Sequence, residues 1–146
     1  MRVTNKKISH TETLFTYHNS PGDTWEEWRG KVLDKPNILV LMTLANDWQI
    51  AGFSENPYSQ TDKWQTGKGW LMSITNKKCY DVKKLYEGKV ARYAPYTLVF
   101  GNNELIIQSN MTFSIIMNKM NLHFATQGDR SIDFIGMKET EEGDFK

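Results

Sequence analysis

The side chains able to do chemistry are few and scattered. The single cysteine, Cys79, lies in Lys77-Lys78-Cys79-Tyr80. Neighbouring ammonium groups favour a thiolate, which makes Cys79 the candidate redox residue. The plainer reading is a small, partly buried side chain in a strand. One thiol cannot form an internal disulfide, and it fits a reducing compartment. His10, His18 and His123 stand apart, outside any HExxH spacing, whereas zinc needs several converging donors. His123, between Leu122 and Phe124, reads as a core-rim histidine. Ser73 and Ser114 lack the GxSxG elbow, so a Ser-His-acid site would have to assemble from distant residues. Gly67-Lys68-Gly69 is too short for the GxxxxGK[ST] phosphate loop. Asp129 and Asp133 lack the DxDxDG series of a calcium loop. The pairs Glu26-Glu27 and Glu141-Glu142 fit solvated or helix-start positions better than paired acid catalysis. The expectation is a noncatalytic protein with no cofactor and no metal.

Elements must position whatever function remains. The 146 residues make one domain, and 39% hydrophobic content supplies a core. Eighteen basic against seventeen acidic residues give a net charge of +1. That balance gives no nucleic-acid footprint, although Lys83-Lys84-Leu85-Tyr86 and Lys89 to Tyr93 mix bases with aromatics. No apolar run reaches the ~18 residues of a spanning helix. The opening residues also lack the apolar run and cleavage site of a secretory signal. A cytoplasmic or other intracellular location is expected.

Residues 1–13 are polar and expected to be flexible. Trp25, Trp28 and Val32 share one face of a short helix capped by Asp23 or Thr24 and limited by Pro36. Gly30 weakens that helix. Residues 38–44 are nearly continuous apolar sequence, which reads as a buried strand. Asn46-Asp47 then turns the chain into a second strand over 49–53, where Gly52 permits a bulge or a close approach. Residues 54–69 read as a loop anchored by Trp64. Further strands are expected over 70–75, 79–82, 97–100, 104–108 and 132–137. Residues 83–89 read as loop, and 112–117 as strand or buried helix. Hairpin-length turns between short strands argue for a mainly β, α+β fold. The expected architecture is a two-layer antiparallel β-sandwich with one to three short flanking helices. Of the five tryptophans, Trp25, Trp28 and Trp64 are candidate partner anchors, because large aromatics carry binding energy well.

The order of these segments resembles the TLDc domain family across residues 14–137. Leu14-Phe15-Thr16-Tyr17, then Trp25 to Trp28 and Pro36 to Leu44, look like its early strand, helix and long apolar strand. Gln49-Ile50-Ala51-Gly52-Phe53-Ser54 is similar to an FGGY-like segment, with Ala51 in place of a glycine. Trp64 resembles the tryptophan of the following loop, and Trp70 to Asn76 an FLFSLTN-like strand. Phe100 to Ile107 is similar to the FGGG-x-DLxI signature, with Asn102 and Asn103 replacing glycines. Phe134-Ile135-Gly136 looks like the late FLGG-type segment. The signature positions are therefore Gly52, Phe53, Trp64, Gly101, Glu104 and Gly136. The family's closing EIEVFxV-like strand is missing, so residues 138–146 are expected to form an acidic tail where a final strand is truncated.

The resemblance implies a β-sandwich without established catalytic chemistry. It also implies a protein-interaction or regulatory role linked to oxidation resistance, with vacuolar proton-ATPase subunits as partners. Two alternatives stand beside it. One is a redox-active protein or enzyme using Cys79. The other is a structural subunit of a larger assembly.

Overall fold

The computed structural model describes residues 2–3, 6–7, 10–17, 24–58, 64–87, 90–94, 97–101, 105–108, 112–115, 124, 129, 131–136 and 142–144. Helix α1 spans Trp25–Val32. Thr24 caps it, its hydroxyl accepting from Glu27 N–H at 3.1 Å. Glu26 and Glu27 complement the helix dipole in the first turn, and Lys31 bridges back to Glu27 at 3.2 Å. Trp25, Trp28 and Val32 are all buried, as their spacing predicts. Gly30 sits on the outer face, where an added Cβ would meet nothing.

The strands are β1 (Arg2–Val3), β2 (Lys6–Lys7), β3 (Ile38–Thr43), β4 (Gln49–Ser54), β5 (Trp64–Gln65), β6 (Gly69–Ser73), β7 (Lys78–Asp81), β8 (Ala91–Ala94), β9 (Thr97–Phe100), β10 (Leu105–Gln108), β11 (Thr112–Ile115) and β12 (Glu142–Asp144). A short 3-10 turn covers Lys84–Tyr86. Every strand pairing is antiparallel. Four strands run in the order β3-β4-β6-β7, six in the order β12-β11-β10-β9-β8-β5, and β1 pairs with β2. The fold is mainly β with few short helices, as expected.

Period-two alternation sends Ile50, Gly52 and Ser54 of β4 to one face and Ala51 and Phe53 to the other. The inner residues Ile50, Leu71 and Tyr80 join Leu98, Phe100, Leu105 and Ile107 of the six-stranded sheet in one core. The two sheets approach closely at Gly52, where a Cβ would lie 2.5 Å from Phe100 Cζ. This arrangement is compatible with a two-layer sandwich. Gly52 therefore serves a close approach, and the uninterrupted β3–β4 register shows no bulge there.

Three expectations change. Residues 132–136 do not form a final strand. Ser131–Ile135 is instead a helix, α2, which buries Phe134 and Ile135 and leaves Ile132 outside. Its end is held by tertiary hydrogen bonds, with Asn46 Nδ2 donating to Ile135 O at 3.0 Å and Asn76 Nδ2 to Asp133 O at 2.9 Å. Trp64 lies in a strand, paired with Arg92 at the edge of the six-stranded sheet. The acidic tail contributes β12, which pairs with β11, so that sheet gains an edge strand from the region where one was expected to be lost. Near the N-terminus, Arg2–Val3 pairs with Lys6–Lys7. Among the described residues, no helix is long and apolar enough to cross a membrane.

Candidate interaction surface

The outer side of the four-stranded sheet is apolar, and its register can be followed strand by strand. Leu39 stands opposite Phe53, and Phe53 opposite Trp70. One row along, Leu41 stands opposite Ala51, Ala51 opposite Met72, and Met72 opposite Cys79. Phe53 and Trp70 stack with ring centroids 5.5 Å apart and planes 22° from parallel. Ala51, Phe53 and Trp70 are buried, and Leu39, Met72 and Ile74 pack around them partly open to solvent. Leu41 is 66% exposed. A strand this apolar reads as buried. Its position at the sheet edge is what leaves Leu41 outside.

Hydrogen bonds lock the turns at one end of this sheet. Asp47 N–H donates to Leu44 O and Leu44 N–H to Trp48 O, with Asp47 in the left-handed region. Trp48 Nε1 donates to the buried Ser73 hydroxyl at 2.9 Å, which also accepts from Asn76 N–H at 3.2 Å. Ser73 thus holds two turns together. The Trp48 ring covers Gly136, whose φ of +70 and contact with that ring both exclude a side chain.

The candidate residues take varied places. Trp25 and Trp28 stack at 4.7 Å and are each 8% exposed, so both serve the core and neither offers an exposed anchor. Their helical face was visible in the spacing, but which element covers that face was not. Gly52 and Phe53 point to opposite faces of β4. Gly101 follows β9 in the left-handed region and donates to Val90 O at 2.8 Å. Gly136 ends α2. Glu104, His18 and His123 lie outside the described residues. Gly101 and Gly136 thus take left-handed backbone positions, and Gly52 makes room for the Phe100 ring.

Cys79 lies in β7, and the residue is exposed although its sulfur is in part enclosed by neighbouring protein. Its lysine neighbours do not lower its pKa. Crowding of the sulfur by the surrounding protein, and then the Asp81 carboxylate, push the thiol up to about 11. The predicted result is slow alkylation at neutral pH, with a rate rising about tenfold per pH unit up to that value. Mass-spectrometric iodoacetamide kinetics would measure it, and a plateau near neutral pH would contradict the assignment. Asp81→Asn should shift the profile toward lower pH.

Elsewhere, Tyr80 donates to Asp129 Oδ2 at 2.8 Å and packs edge-on against Phe134. Burial, the bond to Asp129 and the Asp129 and Asp133 charges all raise the phenol pKa. Among the described residues, no three His, Cys, Asp or Glu side chains gather as a metal site would require. Neither a protein-family model nor a curated protein sequence matches the chain.

Proposed function

We propose that the chain is a noncatalytic protein-interaction domain whose contact surface is the outer face of the four-stranded sheet. The observation that supports this reading is the apolar row Leu41-Ala51-Met72, which ends at an edge where Leu41 is two-thirds exposed. The exposed Leu41 and the partly open Leu39, Met72 and Ile74, with Thr43, Gln49 and Asp81 at the margin, fit a protein partner. The TLDc resemblance carried by the ordered motifs makes vacuolar proton-ATPase subunits the first partner to examine. The thiol alternative is disfavoured because the raised pKa leaves little thiolate at neutral pH.

Affinity capture from cell extract, probed for ATPase subunits, tests the reading. The unaltered chain should recover those subunits. Met72→Glu, which puts a charge in the middle of the face, should reduce recovery about tenfold or more. Equal recovery by both would remove the face from the proposal. No recovery by the unaltered chain would remove this partner.

A further inference from the structure

We infer that β3 is a self-association edge, through which two copies of the chain join their four-stranded sheets into one. This goes beyond the partner reading and does not depend on it.

The direction of the backbone groups comes from the ladder. Leu44 N–H donates to Trp48 O, and Glu55 and Ile74 N–H form the corresponding bonds between β4 and β6. Alternation along an antiparallel pair then gives Ile38, Val40 and Met42 the bonds to β4. Leu39, Leu41 and Thr43 turn their N–H and C=O groups the other way. Among the described residues, β3 pairs with β4 alone. Leu41, at the middle of that outward set, is 66% exposed.

Edge strands are usually blunted by a charge, a proline or a bulge. Ile38-Leu39-Val40-Leu41-Met42-Thr43 has none of these and runs through six consecutive register pairs. Its neutrality means that a second copy meets no like charge across the edge.

The outward groups also select a register. A two-fold axis at Leu41 sets Leu41 against Leu41 of the second copy and Leu39 against Thr43, so all three outward residues are used on each side. Shifting by one pair strands one of them. The occupant that fits the edge in polarity and in register is therefore β3 itself.

Sedimentation equilibrium on the purified chain tests this. A concentration-dependent dimer is expected. Leu41→Pro removes an outward N–H without taking a bond from β4, and Leu41→Lys adds an edge charge. Each should weaken the dimer about tenfold or more. Circular dichroism should show both variants folded.

A cross-link checks the register independently of that loss. Residues opposite in a hydrogen-bonded pair have Cα atoms about 5.5 Å apart, within disulfide reach. Leu41→Cys in a Cys79→Ser background should form a covalent dimer with oxidised glutathione. Leu85→Cys, still more exposed but outside β3, should not. A chain that stays monomeric at every concentration overturns the inference. So does equal cross-linking by the two cysteine variants.

Discussion

Gly52→Ala should destabilise the protein by about 2–3 kcal/mol and lower its Tm by roughly 10 °C. The added methyl would meet Cζ, Cε1 and Cε2 of Phe100, all within 2.9 Å. Phe100 is fully buried among residues of both sheets, so its ring cannot swing into solvent. Relief requires the sheets to part or the ring to leave its rotamer, and either loses packing. Phe100→Leu costs stability alone, because it shrinks a buried side chain. In the Gly52→Ala background its cost should be smaller, since it makes room for the methyl. A double-mutant cycle of thermal or denaturant unfolding would report that coupling. Gly30→Ala is the internal control. The same methyl enters open space there, in a helix, and should stabilise by about 0.5–1 kcal/mol. If Gly52→Ala behaved like Gly30→Ala, the close approach of the sheets would be wrong.

Alkaline pH should unfold the protein steeply. Tyr58 is fully buried, and burial raises its phenol well above the ordinary value of 10.0. The Ser54 hydroxyl offsets this only in part, and neither oxygen makes a well-aligned hydrogen bond among the described residues. Above pH 10 the unfolded chain gives up the Tyr58 proton while the folded chain keeps it. The unfolded state then binds fewer protons, so stability is fully present below pH 10 and falls as pH rises beyond it. Tyr58 alone contributes a loss of about 1.4 kcal/mol per pH unit. Tyr80, raised by burial and by its bond to Asp129, adds a loss of the same sign. Tyr58→Phe keeps the ring against Trp28 and deletes the titrating group. Urea unfolding at several pH values should show nearly unchanged stability at neutral pH for this variant, together with a shallower alkaline decline. An unchanged alkaline slope would show that Tyr58 titrates freely in the fold.

Local signals were legible where a segment's own residues decide its shape. Trp25, Trp28, Val32 and the Thr24 cap mark α1 and its inward face in the local sequence. The apolar run before Asn46-Asp47 specifies the β3–β4 hairpin, and Gly52 signalled a close approach whose partner, Phe100, comes from a distant strand. Other segments take their conformation from elsewhere. The apolar Ile132, Phe134, Ile135 and Met137 read as a strand, yet Asn46 and Asn76 hold residues 131–135 as a helix and Trp48 seats its glycine stop. Glu142–Asp144 has no strand propensity worth reading, and β11 supplies its pairing. The candidate surface was half visible. Its apolar residues were plain, but Leu41 read as core because sequence does not reveal which strand lies at an edge. Cys79 misled for a similar reason. Its lysines are adjacent in sequence, while the crowding and the Asp81 charge that decide its pKa belong to the folded sheet.

One spectrum tests the central arrangement most directly. A nuclear Overhauser spectrum of the isotope-labelled chain should connect a Gly52 Hα to the ring protons of Phe100, with that Hα shifted by the ring current. Clear resonances for both residues with no cross-peak between them would mean that the sheets do not meet at this point. The inner and outer faces assigned to β4, and the surface built on them, would then be wrong.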